Sequence, residues 1–362
     1  MKTGSERNCS SLKAVILVGG EGTRLQPLTY YMPKPMVPVL NRPFLEHTIA
    51  YLEKCGVKDV VLAESYLPEV VHDYFGDGSN LGVRLAYNVE NTPRGTAGAV
   101  KNAEQYLNGT FIVLNGDVFP NIDIVDMVDF HRRRGAKVTI ALTWVDNPGA
   151  FGVVETDSDG RVRHFIEKPG ADRVTTHWIN AGVYILEPEV LGYVPADEYH
   201  MFEKELFPLL LELGQPVYGY SSGGYWLDMG TPEKYLCLNC DLLSSKAQSA
   251  LSGELSKSGI YRGKDVSIHS SARIAGPAVI GNRCKIDREA TIKGPVVIGA
   301  DCYIGKSASI ENAILWENDS IGTGAKLKRC ILGSNTRVDD NAQVIRCVLV
   351  TDSDGVTRAA EM

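Results

Sequence analysis

Two rhythms of apolar residues divide this chain. From Lys13 to about residue 245, short apolar runs alternate with amphipathic stretches. The runs Ala14–Val18, Val60–Ala63, Phe111–Leu114, Val138–Leu142, Gly152–Glu155 and Val183–Leu186 have the length and apolar character of strands. The stretches Phe44–Cys55, Thr96–Tyr106 and Met201–Leu213 space their apolar residues as helices do. This alternation predicts a mainly parallel sheet covered by helices, a doubly wound α/β domain. In such a domain ligands collect at the carboxyl ends of the strands.

After residue 262 the period becomes six. Isoleucine stands at 268, 274, 280, 286, 292, 298, 304 and 310, and two positions before each is Val266, Ala272, Ala278, Cys284, Ala290, Val296, Cys302 or Ala308. One inward aliphatic group per short strand, three strands to a coil, describes a triangular parallel β-helix. Cys284 and Cys302 are then core fillers. The rhythm slips after Ile310 and resumes at Ile321, Leu327, Val338 and Val344, so irregular or decorated last coils are expected. The expected layout is a disordered tail 1–12, an α/β domain 13–245, a small and polar linker 246–262, and a β-helix 263–362.

The 362 residues, 44% of them hydrophobic, can bury two cores. A net charge of -7 argues against a nucleic-acid partner, so any phosphate must be bound by local charge. Arg132-Arg133-Arg134 reads as a solvated helix end. No segment approaches the ~20 apolar residues of a membrane span, and the N-terminal residues lack the apolar core of a signal peptide. Eight cysteines without framework spacing suit reduced thiols in a cytoplasm. Cys237 and Cys240 form a lone pair within a helical pattern, where zinc is not expected.

The strongest chemistry follows the first strand. Gly19-Gly20-Glu21-Gly22-Thr23-Arg24 lets backbone N–H groups approach an anion, and Arg24 adds a planar charged fork. Lys34 is held between Pro33 and Pro35. Two cations and an amide nest suit a triphosphate, yet the loop is neither a P-loop nor GxGxxG. Asp117 follows the run Phe111–Leu114, where a carboxylate can hold a hard cation such as Mg²⁺. Asp228, in Trp226-Leu227-Asp228-Met229-Gly230-Thr231-Pro232, is either its partner or a helix N-cap.

These motifs, with Glu90–Gly98, Phe151–Val154, Glu167-Lys168-Pro169 and Asn180-Ala181-Gly182 following in order, resemble the signature of the sugar-1-phosphate nucleotidyltransferases, over nearly the whole chain. The resemblance implies a Rossmann-like catalytic domain followed by a left-handed hexapeptide β-helix. It implies that Arg24 and Lys34 grip the triphosphate and that Leu17, Gly19, Gly20, Gly22 and Thr23 contact the nucleotide. Asp117 and Asp228 would chelate Mg²⁺, and Gly152, Glu167, Lys168 and Asn180 would take the sugar phosphate. Glu90, Gly95 and Thr96 would lie at the base. Relatives that use uracil or thymine commonly carry Gln where Glu90 stands. A carboxylate only accepts hydrogen bonds, and guanine offers two adjacent donors to it. The implied substrates are GTP and mannose 1-phosphate, giving GDP-mannose and pyrophosphate. The alternatives are a glucose-1-phosphate thymidylyl-, uridylyl- or adenylyltransferase, a sugar acyltransferase using His269, or an inactive regulatory subunit. Stacked coils with exposed faces and ends lead us to expect a homo-oligomer.

Overall fold

The computed structural model describes residue 9 and residues 12–221, 223–247 and 259–362. The expected tail lies outside these residues except for Cys9 and Leu12, both buried, and the expected linker lies outside them over 248–258. Chain contacts form two compact units: Met1–Gly20 with Thr48–Leu227, and Glu21–His47 with Asp228–Met362.

The first unit is a sheet of β1 (Lys13–Leu17), β2 (Asp59–Glu64), β3 (Arg84–Val89), β4 (Phe111–Asn115), β5 (Val138–Trp144), β6 (Gly152–Thr156), β7 (Val162–Glu167), β8 (Trp178–Leu186) and β9 (Val217–Ser221). Its order is β7-β6-β8-β4-β1-β2-β3, with β5 pairing β8 and β9. The half β4-β1-β2-β3 is parallel, as the apolar runs predict, whereas β8 lies antiparallel to β4, β5 and β6. Each run expected to be a strand is one. β3, β7 and β9, which carry more polar residues, were not among them. Val15, Val61, Val113, Ile140, Tyr184, Phe202 and Phe207 belong to one continuous core.

The helical stretches form with shorter bounds: α1 is Phe44–Lys54, and Thr96–Tyr106 divides into α3, Gly95–Asn102, and a 3-10 turn, Glu104–Tyr106. Helices absent from that reading are α2, Pro68–Phe75, and α4, Ile124–Arg134. Asp123 caps α4 by accepting from Asp126 N at 2.9 Å, and Arg132–Arg134 form its last turn, where cations suit the helix dipole. Met201–Leu213 begins as a single π-turn, Phe202–Leu206, ahead of α5, Phe207–Glu212. Pi-turns concentrate at functional sites. This one carries Glu203 inward.

The second unit is built on the parallel β-helix. Ser267 pairs with Lys285 and Lys285 with Tyr303, so these coils take eighteen residues. The expected inward residues from Ala278 to Ala308 are buried, with Val266, Ile268, Ala272 and Ile274 partly so in the first coil. The slip after Ile310 is a loss of one residue per coil. Ser309 pairs with Lys326 and Lys326 with Gln343, seventeen apart. The last coils are therefore regular, not irregular, and Ile321, Leu327 and Val338 remain in the core with Val344 packed against it. Their decoration is an antiparallel strand, Thr357–Glu361, on Cys347–Thr351.

Helix α6, Pro232–Leu243, belongs to the same unit, and its Asn239 and Tyr235 fix the segment that carries Lys34. Leu40 N donates to Asn239 Oδ1 at 2.9 Å, and Tyr235 O–H donates to Pro38 O. Asn41 Nδ2 reaches Ile298 O of the β-helix at 2.7 Å, and Trp316 Nε1 donates to the Tyr235 hydroxyl at 3.0 Å. Hydrogen bonds from α6 and the coils thus hold the segment that follows Lys34. No helix among the described residues is long and apolar enough to cross a membrane.

Candidate active site

In the second unit Gly22, Arg24, Lys34 and Asp228 come together. Gly22 has φ +66°, and a methyl group there would meet Lys34 Cβ at 3.0 Å and Thr29 Cγ2 at 3.1 Å, so the turn admits no side chain. Thr29 Oγ1 donates to Gly22 O at 2.9 Å and closes the loop. Thr23 and Arg24 are exposed on the 3-10 turn that follows. Lys34 is 7% exposed, and its Nζ lies 4.0 Å from Asp228 Oδ1. On the other side Lys234 Nζ lies 3.4 Å from Asp228 Oδ2. A methyl at Gly230 would fall 3.0 Å from Asp228 Oδ2 and 3.2 Å from Arg24 Nη1, so the guanidinium and the carboxylate share that corner. One acid stands among three cations. The surplus of positive charge suits a polyphosphate.

Lys234 was missed by the sequence reading, although it lies in the first turn of α6, six residues beyond Asp228. Asp228 is not the N-cap of that helix. Thr231 is, accepting from Lys234 N at 3.4 Å. The alternative role for Asp228 therefore falls away. Its Oδ1 is buried without a hydrogen bond. An unsatisfied hard oxygen donor fits a Mg²⁺ ligand, and Mg²⁺ needs few protein ligands because it keeps water and substrate phosphate oxygens. Among the described residues no cluster of three or more His, Cys, Asp or Glu is arranged to hold a metal.

In the first unit the remaining residues line the carboxyl edge of the sheet. Leu17 ends β1, and Gly19 and Gly20 follow, with Ser65 Oγ donating to Gly19 O at 2.7 Å. Gly116 N donates to Leu17 O at 2.9 Å, which carries the chain from β4 to Asp117 at the strand tip. Beyond β3, Glu90 is buried. Its Oε2 accepts from Arg94 N at 3.4 Å, its Oε1 has no partner, and burial pushes the carboxyl above its usual range. Gly95 has φ +74°, and a methyl there would lie 2.7 Å from His200 O. That carbonyl accepts from both Ala97 N and Gly98 N, at 3.0 and 2.9 Å. Only glycine fits this turn.

Gly152, Glu167 and Lys168 meet around one carboxylate. A methyl at Gly152 would stand 2.9 Å from Glu167 Oε2, and Lys168 Nζ is 3.5 Å from Glu167 Oε1. Lys168 is exposed at φ +46°, a left-handed position unusual for lysine, and its N–H donates to Phe151 O at 3.0 Å.

Asn180 and Thr96 are joined through two residues absent from the sequence reading. Asn180 Nδ2 donates to the Tyr184 hydroxyl at 2.7 Å, and that hydroxyl donates to Glu203 Oε1 at 3.2 Å. Thr96 Oγ1 donates to Glu203 Oε2 at 2.8 Å and accepts from Phe202 N at 2.9 Å. Burial raises the Glu203 carboxyl and holds the Tyr184 phenol far above its usual range. Thr96 and Asn180 are thus tied through one buried acid, Glu203.

Comparison with known proteins identifies the family of the chain. Residues 13–245 match the nucleotidyl transferase family and residues 257–361 the LbH domain of the EIF2B epsilon subunit. The chain is 42% identical to a mannose-1-phosphate guanylyltransferase of Mycobacterium tuberculosis, over 75% of this chain and 76% of that protein. It is 33% identical to a UTP–glucose-1-phosphate uridylyltransferase of Synechocystis, over 76% of this chain and 75% of that protein. Among solved structures, HddC of Yersinia pseudotuberculosis complexed with GMP-PN superposes with a TM-score of 0.55 at 32% identity, covering 63% of this chain and 98% of that one. The nucleotidyl transferase model spans residues 13–245, and the chain belongs to that family.

Proposed function

We propose that the chain transfers the guanylyl group of GTP to α-D-mannose 1-phosphate, giving GDP-mannose and pyrophosphate. A phosphate oxygen of the sugar attacks the α-phosphorus as the bond to pyrophosphate breaks, so no protein nucleophile is needed. Catalysis is then positioning and charge neutralisation. Arg24 and Lys34 bind the triphosphate, and Lys168 faces the sugar's phosphate. Glu167 accepts from sugar hydroxyls, Asn180 donates to them, and Gly152 presents backbone. Asp117 and Asp228 would hold Mg²⁺, which neutralises developing phosphate charge. Leu17, Gly19, Gly20, Gly22, Thr23, Gly95 and Thr96 contact the nucleotide.

The observation that carries the guanine choice is Glu90, a buried acid with one oxygen unpartnered beside the Gly95 turn. An acceptor-only group answers the adjacent N1–H and N2–H₂ of guanine. The second reading, uridylyl transfer to glucose 1-phosphate, is favoured by the Synechocystis relative. Pyrophosphate release measured across four NTPs crossed with mannose 1-phosphate and glucose 1-phosphate decides between them. The expected maximum is GTP with mannose 1-phosphate, and a maximum at UTP overturns the proposal. We further infer a cytoplasmic homo-oligomer whose contacts use the β-helix. A monomer at micromolar concentration by light scattering would refute that assembly.

A further inference from the structure

We propose that Asn88 is a specificity-determining residue, its amide donating to the O6 of guanine beside Glu90. The inference rests on the reading of Glu90 given above. Sheet register places Asn88: Asn115 pairs with Leu17, Leu17 with Ala63, and Ala63 with Asn88, one row across β4, β1, β2 and β3. Paired residues on neighbouring strands share a face. The row runs along the carboxyl edge of the parallel half, where ligands collect in such sheets.

The ladder continues one residue past β3, because Glu90 N donates to Glu64 O at 2.7 Å. Alternation therefore holds through Glu90, and Asn88 and Glu90 point the same way. Exposure follows the alternation: Asn88 is 7% exposed, Val89 44% and Glu90 8%. Asn88 Nδ2 and Glu90 Oε1 are both buried without a hydrogen-bond partner. Two orphaned polar atoms, a donor and an acceptor two residues apart, are what a ligand edge of opposite pattern would satisfy. The Asn88 amide can turn either end inward, so its donor is available.

The base edge supplies that pattern. Guanine presents O6 as an acceptor beside N1–H and N2–H₂ as donors. Uracil presents O4 and N3–H in the same order but lacks the second donor. Adenine and cytosine place an amino group where Asn88 would also donate. Asn88 thus selects a keto base against an amino base, and Glu90 selects guanine among keto bases.

Two analogues separate the roles. In 6-thio-GTP only O6 changes, to a poor acceptor, whereas ITP lacks only the N2 amino group. For Asn88→Leu, kcat/KM with GTP should fall about 10- to 100-fold. The preference for GTP over 6-thio-GTP should fall towards one, with the GTP-to-ITP ratio unchanged. If that variant unfolds, Asn88→Asp keeps the volume, removes the donor and carries the same comparison. A preserved GTP-to-6-thio-GTP ratio overturns the inference, whether both rates fall equally or neither falls. Glu90→Gln measured alongside should move the ITP ratio and spare the 6-thio-GTP ratio. If it moves neither, the Glu90 reading fails, and the Asn88 result is judged on its own ratio.

Discussion

The β-helix and the α/β unit treat buried polar groups differently. Along the coils from Ala278 to Val338 the interior is isoleucine, leucine, valine, alanine and cysteine. Among its described residues Asp319 alone keeps a buried side-chain atom without a partner, and its other oxygen accepts from Thr336 N at 2.8 Å. In the α/β unit Tyr51, Glu64, Asn88, Glu90, Asn115 and His200 each carry an unpartnered buried atom, and Glu64, Asn88, Glu90 and Asn115 stand at the carboxyl ends of β2, β3 and β4 or one residue beyond. A buried polar group left unpaired costs about 1–3 kcal/mol. A scaffold built only to stand has no reason to gather four of them on one sheet edge, whereas a binding surface does.

The comparison is open to direct attack. The largest effect is expected at Asp117. Asp117→Asn should reduce turnover with Mg²⁺ by two orders of magnitude or more while the circular dichroism spectrum stays unchanged. Normal turnover by the folded variant would remove Asp117 from the site. In the β-helix the effect should move from rate to stability. Ile292→Ala opens a cavity in a fully buried position and should lower the unfolding free energy by about 2–5 kcal/mol. Activity per folded molecule below the melting transition should be retained, and a parallel loss of kcat would mean the coils do more than hold the fold.

Glu90→Gln comes next. It exchanges one acceptor for a donor facing guanine and should cut kcat/KM for GTP by one to two decades relative to UTP, about 1–3 kcal/mol. An unmoved GTP-to-UTP ratio would detach Glu90 from base reading. The smallest effect concerns Glu64, whose carboxyl burial pushes up to about 7 despite the His72 imidazole 2.7 Å away. Between the ordinary value of 4.5 and about 7 the folded protein keeps a proton that the unfolded chain releases, so stability falls as pH rises through this window. Glu64→Gln should flatten that slope by about 1 kcal/mol per pH unit, read from urea melts at several pH values. An identical slope in the variant would assign the dependence to other groups.

The same contrast explains what could be read from the sequence. Ile292 meets Ile310 on the next coil, so a solenoid writes its contacts into a short repeat visible without coordinates. The loop Gly19–Arg24, Lys34 and Asp117 stand out in the sequence because each lies in a motif of a few neighbouring residues. Glu203 does not, because its bond to Thr96 spans 107 residues and it sits in a π-turn that no periodicity announces. Lys234 looks like any helix-surface lysine until the chain brings Asp228 to it. Strand β3 mixes polar with apolar residues and ends with Asn88 buried and Val89 exposed, which hid it from a search for continuous apolar runs.

The strand Thr357–Glu361 has a consequence for how the protein behaves in concentrated solution. A stack of parallel coils ends in a row of open backbone groups with the same polarity as those it has just used, so each coil is a template for another. Here the outermost strand runs the opposite way, is five residues long, and puts Arg358 and Glu361 on the surface. A coil from a second molecule meets reversed polarity and charge at that edge instead of a matching ladder. On the sheet that carries it, this strand therefore offers a second copy no parallel ladder to extend.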